Sequence, residues 1–239
     1  VDAAVDALRA GATDYLSEPL DTDRLASILR RGRRSKALRS RADELDWELR
    51  TLGHYGRLVG RAPCMQEMFE LIMKVAPTDS PVLLTGETGT GKDLVARTLH
   101  ERSRRSRHPF LPLNCAAIPE NLIESELFGH VKGSFTGADK PHEGYFQRAH
   151  KGTLFLDEIT EMPTPLQAKL LRVLESKRVT PVGGSQPQEV DVRVVSATNR
   201  DAKEAVAKGD LREDLFFRLA VFPIGVPTLR DRPGDIPHL

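Results

Sequence analysis

The chain has 239 residues, of which 39% are hydrophobic and 29% are charged, and its formal net charge is +1. This is enough for one sizeable core with a smaller unit beside it, and it excludes a strongly basic or acidic protein. No apolar run is long enough to span a membrane, and Cys64 and Cys115 have no metal-type spacing. We therefore expect a cytoplasmic protein with no membrane partner and no disulfide framework.

Residues 1–33 contain two amphipathic helical patterns around a short extended stretch at 14–16, with Gly11 and Pro19 as punctuation. A segment of this length is too short for an independent domain. We therefore expect it to be the last part of a small α/β unit.

Residues 34–55 form a charged segment in which apolar residues alternate at spacings of four and three. These residues are Leu38, Ala42, Leu45, Leu49 and Leu52. The pattern predicts a helical linker of heptad type, which either pairs with a second copy of itself or packs alone on its own domain.

Residues 56–239 are predicted to form the main domain, because strand-like runs alternate there with helical ones. The apolar runs at 82–84, 110–113, 154–157 and 192–197 are short, as buried parallel strands are. The alternation predicts an α/β fold with a doubly wound parallel sheet and a ligand at the carboxyl ends of its strands.

A glycine-rich loop directly follows the run at 82–84 and leads into a predicted helix. Such a loop points several backbone N–H groups at one place, at the positive end of a helix, and so binds a polyphosphate. Lys92 is the cation expected to reach the outer phosphates, and Asp93 stands where most such loops carry Ser or Thr. The predicted nucleotide-binding residues here are Gly86, Glu87, Thr88, Gly89, Thr90, Gly91, Lys92, Asp93 and Leu94.

Paired acids end the apolar run at 154–157. Asp157 is the predicted ligand of Mg²⁺, with Asp93 as a second candidate, and Glu158 is the predicted general base that activates a water. The alternative for Glu158 is a cap or ion pair on the following helix. Asn114 and Asn199 each end their own strand-like run, so both are expected in the same crevice as the glycine-rich loop, where a neutral amide can orient the water or hold Glu158. The sequence thus predicts binding and hydrolysis of a nucleoside triphosphate.

Two arginines, Arg212 and Arg218, lie six residues apart, which corresponds to about 240° around a helix. Each is either a solvated surface residue or an arginine finger that reaches a phosphate bound by an adjacent subunit. The residues alone leave both alternatives open.

A second glycine-bounded loop carries one aromatic residue in a polar stretch. Its residues are Gly133, Ser134, Phe135, Thr136, Gly137 and Ala138. Such a loop suits insertion into a partner surface. The alternative, Phe135 folded back onto the core, is the one that the residues alone favour.

From about residue 58 onwards the chain resembles the NtrC-type bacterial enhancer-binding proteins, which are AAA+ ATPases that activate sigma-54 RNA polymerase. The motifs that carry the resemblance occur in the family's order at 86–93, 126–130, 133–138, 152–159, 197–199 and 212–219. The loop at 133–138 is the most specific of them, and an acid after the P-loop lysine is usual in this group.

The resemblance implies roles for individual residues. Phe135 and Thr136 would lie in the loop that touches sigma-54, Asn114 would switch the setting of Glu158, and Asn199 would be the sensor I residue.

It further implies that Arg212 and Arg218 act across a subunit interface and that Val59 and Gly60 lie near the adenine. The cofactors would be ATP and Mg²⁺, and the partners sigma-54 RNA polymerase holoenzyme, further copies of the chain in a dimer and a hexamer ring, and enhancer DNA.

The implied function is an activator that hydrolyses ATP to remodel closed promoter complexes, with a helical lid and a C-terminal DNA-binding domain beyond residue 239. Two alternatives remain, another AAA+ P-loop ATPase such as a helicase or chaperone module, and a nucleotide-gated regulator that does not hydrolyse. The 133–138 loop argues against the first and the paired acids against the second.

Residues 10–19 resemble the last helix–strand–helix of a response-regulator receiver, as in two-component regulation. Receivers carry a lysine before the proline, where this chain has Glu18. A carboxylate there would repel a phosphorylated aspartate instead of neutralising it. We therefore expect a receiver-like fold at 1–33 that responds weakly to phosphorylation.

Overall fold

The computed structural model describes residues 52–238, together with residue 22, residues 25–30, residue 33 and residue 49. The chain divides into two compact units, Val1–Leu52 and Gly53–Leu239. In the first unit residues 25–30 are helical. The rest of the predicted receiver-like segment, and the predicted linker up to residue 51 apart from Leu49, lie outside the described residues. No helix in the described part of the chain is long and apolar enough to cross a membrane.

The second unit alternates strands and helices. The helices are α1 (Pro63–Val75), α2 (Lys92–Glu101), α3 (Glu120–Phe128), α4 (Tyr145–Arg148), α5 (Thr164–Ser176), α6 (Ala202–Lys208) and α7 (Glu213–Leu219). The strands are β1 (His54–Tyr55), β2 (Leu58–Val59), β3 (Val82–Thr85), β4 (Phe110–Asn114), β5 (Thr153–Asp157), β6 (Arg178–Val179), β7 (Gln188–Glu189), β8 (Arg193–Thr198) and β9 (Phe222–Gly225). Short 3₁₀ helices follow β5 and β9 at Ile159–Glu161, Leu229–Asp231 and Pro233–His238.

Five strands form one sheet in the order β4-β5-β8-β3-β9, and every pair in it is parallel. The two edge strands each contain a proline, Pro112 in β4 and Pro223 in β9. Proline has no N–H to donate to a ladder, so an edge is where it is tolerated. The predicted doubly wound parallel sheet is confirmed.

Helices cover both faces of this sheet, and successive strand residues alternate between the two cores. Leu83 and Leu154 pack in one core with α3, α5 and α7, while Val82 and Phe155 pack in the other with α1 and α2. Because both faces are buried, the central strands are mostly apolar and do not show a regular alternation with polar residues.

The carboxyl ends of these strands meet at one edge of the sheet. Asn114 ends β4 in register with Asp157, the last residue of β5, and Asn199 follows β8 directly. The P-loop begins where β3 ends at Thr85. The strand order therefore gathers the predicted nucleotide residues of four separate segments.

A buried arginine holds the opposite end of the sheet. Arg193, at the start of β8, is 2% exposed; its Nη1 donates to the Ala76 carbonyl at 2.7 Å and its Nη2 to the Val75 carbonyl at 2.9 Å. These carbonyls end α1, where no further helical N–H is available to them. Burial lowers the pKa of the guanidinium to about 10, which leaves it charged at neutral pH.

We expect Arg193→Met to lower the free energy of unfolding by about 1–3 kcal/mol, because it removes two charge-assisted hydrogen bonds and leaves the Ala76 carbonyl without this donor. The Val75 carbonyl still accepts from the N–H and the hydroxyl of Thr78. Urea unfolding of the purified protein measures the change. Arg104→Met is the matched control, since Arg104 is exposed, and we expect it to be neutral. Equal stability of the two variants would contradict the capping role of Arg193.

Candidate functional site

The loop between β3 and α2 folds around its own lysine. Lys92, the first residue of α2, is 7% exposed, and its Nζ donates to the carbonyl of Gly86 at 2.9 Å and of Glu87 at 3.1 Å. Gly89 and Gly91 have φ of +84° and +92°, values that side-chain-bearing residues rarely adopt. The two glycines thus allow the chain to reverse tightly and enter α2 directly.

This geometry defines an anion site. The first N–H groups of a helix have no partner within the helix, and the helix dipole adds positive potential there. Lys92 adds a full charge at the same point. Glu87, in the loop, forms an ion pair with Arg230 at 2.5 Å.

The two predicted acids lie where β5 ends: Asp157 is its last residue and Glu158 begins a sharp turn. Glu158 has φ of +51°, an uncommon value for a residue other than glycine, and its N–H donates to Asp157 Oδ1 at 3.0 Å. Its Oε2 accepts from the backbone N–H of Asn199 at 3.2 Å. The Asn199 side-chain amide in turn donates to Thr88 Oγ1 at 3.1 Å. A continuous chain of hydrogen bonds therefore joins the acid on β5 to the P-loop.

Asn114 reaches the same edge but its side chain turns towards its own loop. Its Oδ1 accepts from the backbone N–H of Ala116 at 2.9 Å. Among the described contacts it makes no hydrogen bond to Glu158. The position in register with Asp157 agrees with the predicted neighbourhood, and the switching role stays a prediction.

The carboxylates fit the metal implied by a triphosphate. Asp157 ends β5 beside the P-loop edge, and Asp93 lies exposed in the first turn of α2. Mg²⁺ prefers such oxygen ligands and is commonly held by one or two carboxylates together with phosphate oxygens. These two residues are the ones that would hold it.

A cavity lies beside the P-loop on the side of β2. Val59, Met65 and Leu94 form apolar parts of its wall, next to Gly91 of the P-loop. Such a lining suits a planar base attached to phosphates in the loop. The predicted residues Val59 and Leu94 both line this cavity, and their contact with a nucleotide stays a prediction. Gly60 is not in the lining but lies just behind it, where an added Cβ would come within 2.7 Å of Asp235 Oδ2.

Two residues at this cavity were missed from the sequence, one in its wall and one behind it. Arg232, 9% exposed, lines the cavity and donates through Nη1 to the Val59 carbonyl at 3.2 Å. Asp235, 1% exposed, accepts through Oδ1 from the N–H groups of Arg61 at 2.6 Å and Ala62 at 3.1 Å. Both lie in the segment of 3₁₀ helices after β9, more than 170 residues along the chain from their partners Val59, Arg61 and Ala62. The sequence signal for them was an arginine and an aspartate among prolines.

We expect Asp235→Ala to raise the KM for ATP by about tenfold while kcat changes by less than about twofold, because it loosens the wall through lost charge-assisted hydrogen bonds. Steady-state kinetics measures both constants, with the melting temperature recorded alongside. Asp231→Ala, at an acid in the preceding turn that caps Thr228, is the control. A fall in kcat at unchanged KM would contradict this role.

The arginines at 212 and 218 differ in setting. Arg212 is the N-cap of α7 and has extended backbone angles, so it precedes the helix. The estimate of 240° around a helix is therefore wrong. The Arg212 guanidinium contacts Asp214 through Nε at 3.0 Å and Nη2 at 2.7 Å, which lowers the pKa of Asp214 and raises that of Arg212. Arg218 donates to the Leu174 carbonyl at 3.3 Å. Within the described residues neither contacts the P-loop of its own chain.

The second predicted loop is an exposed hairpin-like turn. The Gly133 N–H donates to the Ala138 carbonyl at 2.8 Å, and both Gly133 and Gly137 have positive φ. Phe135 is 42% exposed and belongs to neither core. The expectation from the residues alone, that Phe135 packs on the core, is therefore wrong, because the loop closes on its own backbone and leaves the ring outside.

Known proteins resemble this chain both in sequence and in structure. The model of the family described as "Sigma-54 interaction domain" matches residues 58–225. The regulatory protein AtoC of Escherichia coli (strain K12) is 47% identical over 236 residues, covering 99% of this chain and 51% of AtoC. The transcriptional regulatory protein ZraR of Klebsiella oxytoca is 50% identical over 240 residues, covering 100% and 53%. NtrX from Brucella abortus in complex with ATP superimposes with a TM-score of 0.70 at 38% identity, covering 99% of this chain and 52% of NtrX.

The fold and the site are those of an AAA+ P-loop NTPase domain. The chain belongs to the sigma-54 interaction domain family, that of the NtrC-type enhancer-binding activators. It spans about half the length of the curated relatives that it matches.

Proposed function

We propose that the protein is an ATP-dependent transcriptional activator that hydrolyses ATP in the cytoplasm to remodel closed complexes of sigma-54 RNA polymerase. The observation that carries the proposal is the presence of two separate sites in one subunit. One is a P-loop linked by hydrogen bonds to an acid, and the other is an exposed loop with Phe135 outside both cores.

The reaction follows from the P-loop edge. Lys92 would move from its backbone carbonyls to the outer phosphates, and Glu158 would take the proton of a water that attacks the terminal phosphorus. The bond to the bridging oxygen then breaks, giving ADP and phosphate. Asn199 would hold the Glu158 carboxylate in line with the water, and Asn114 would change the position of that carboxylate. Mg²⁺ on Asp157, with or without Asp93, would supply charge compensation for the phosphates.

Two arginines, Arg212 and Arg218, support the assembly of several copies of the chain. Arg212 and Arg218 are exposed, and their described contacts are with Asp214 and the Leu174 carbonyl, not with their own P-loop, which supports a role as fingers for the phosphate of a neighbouring subunit. Arg212 would have to leave Asp214 to reach it. We therefore propose self-association through a dimer to a hexamer ring, as the output of a two-component-like regulator. Enhancer DNA would be bound by a C-terminal domain of the whole protein.

Two assays on the purified protein test the proposal together. Steady-state phosphate release should require Mg²⁺ and should vanish in Lys92→Ala, which removes the charge that meets the outer phosphates. Capture of purified sigma-54 by the protein should increase with ADP and aluminium fluoride, a mimic of phosphoryl transfer, compared with ADP alone. No phosphate release would favour a nucleotide-gated regulator, and release without sigma-54 capture would favour another AAA+ remodeller.

A further inference from the structure

The base of the exposed loop is fixed by backbone hydrogen bonds on two sides. His130 exchanges both of its backbone hydrogen bonds with His142, each at 3.0 Å. On the other side the Val131 N–H donates to the Val182 carbonyl at 3.1 Å. The backbone of His130 therefore has a fixed position just after the end of α3.

The His130 ring is itself held at both nitrogens. Nε2 lies 3.0 Å from the Lys140 carbonyl, which can only accept, so Nε2 carries the hydrogen. In the neutral ring Nδ1 then accepts from the hydroxyl of Ser125, which lies 2.6 Å away and is 6% exposed. These two bonds fix the rotation and the tautomer of the ring.

The ring so fixed meets the aromatic residue of the loop. The ring centroids of His130 and Phe135 are 4.9 Å apart with an angle of 64° between their planes, an edge-to-face contact. The loop closes between two glycines with positive φ, Gly133 and Gly137. Its backbone is thus adaptable, while the aromatic contact joins its tip to the rigid base.

We infer that His130 is a positioning residue that holds the Phe135 ring against the base of the loop. It thereby limits the access of Phe135 to sigma-54. This inference rests on the proposed function of the loop. It gives His130 a role separate from ATP chemistry, since the contacts of His130 are with α3, the loop and its flanks, and none is with the P-loop or the acids among the described residues. Release of Phe135 would require that this one contact be broken.

The test compares ring variants in the purified protein. His130→Ala should raise the initial rate of tryptic cleavage after Lys132, an exposed residue beside the loop, by about 2- to 10-fold, the factor that corresponds to one aromatic pair. It should raise nucleotide-free capture of sigma-54 by a similar factor and leave ATP hydrolysis within about twofold. His130→Phe keeps a ring edge but no nitrogen, and should lie nearer to wild type in both readouts.

His142→Ala is the matched control, because His142 shares the backbone bridge and its ring stacks on His130, 5.6 Å away, but among the described ring contacts Phe135 meets His130 and not His142. The hydrogen bonds of His130 to Ser125 and Lys140 remain in this variant, so the contact with Phe135 should persist. A loop that is merely destabilised would respond alike to both alanine variants, and that result would overturn the inference. So would an unchanged cleavage rate in His130→Ala, or a fall in melting temperature and ATP hydrolysis in parallel. If wild-type protein captures no sigma-54 with any nucleotide, the proposed function fails, and the cleavage rates alone still decide the role of His130.

Discussion

Glu158→Gln is expected to reduce ATP hydrolysis by at least about a hundredfold while ATP still binds, because it removes a general base without removing its shape. The amide oxygen of Gln can still accept from the Asn199 N–H, so the hydrogen-bonded chain to Thr88 should persist. Phosphate release under saturating ATP, with ATP affinity measured separately, gives the two quantities.

Glu161→Gln is the matched control for this variant. Glu161 lies three residues further on and forms an ion pair with Arg200 at 2.5 Å, so its loss should change turnover by less than about twofold, as for an exposed ion pair. Near-normal turnover in Glu158→Gln would remove Glu158 from catalysis. It would leave the alternative that this acid only supports the turn into Ile159–Glu161.

The sequence predicted the parallel sheet and the residues at the carboxyl ends of its strands because local chemistry dictates both. A parallel strand buried on both faces must be apolar, and a polyphosphate loop needs glycine where φ is positive, as at Gly89 and Gly91. The paired acids Asp157 and Glu158 lie at the end of another such apolar run, at 154–157. Their convergence is a consequence of parallel pairing, which brings the carboxyl ends of strands to one edge.

The features that the sequence did not predict are strand β9, the role of Asp235 and the exact start of α7. They depend on tertiary contacts, or on residues whose intrinsic preferences oppose the element in which they lie. Strand β9 reads Phe-Pro-Ile-Gly, and proline and glycine both disfavour strands, so its pairing with β3 outweighs its propensity. Asp235 is recognisable only once its turn is folded against Arg61 and Ala62. Arg212 lies outside α7 because the helix begins one residue later, and the exact start of a helix is poorly specified by periodicity.

Under the proposed function, the link between Glu158 and the P-loop would let the acid respond to the bound nucleotide. Asn199 contacts Glu158 through its backbone and Thr88 through its side chain. A phosphate that displaces Thr88 would therefore change the support of the acid at the same time. The positive φ of Glu158 adds strain that the surrounding structure must hold, as is common at sites that change setting.

Phe135→Ala is expected to leave ATP hydrolysis within a few-fold of wild type and to weaken sigma-54 capture by at least about thirtyfold, the scale for losing an aromatic hot spot. The loop that carries Phe135 has no group able to assist phosphoryl transfer, and its 42% exposed ring can meet a partner without unfolding the domain. Melting temperature, ATPase rate and capture on one preparation test this. Leu122→Ala, at a leucine of the same 42% exposure on α3, controls for loss of exposed apolar surface and should retain capture. A core phenylalanine would instead cost about 3–5 kcal/mol on truncation. Parallel losses of stability and ATPase in Phe135→Ala would therefore contradict the contact loop, and with it the main reason to prefer an activator of sigma-54 polymerase over other AAA+ machines.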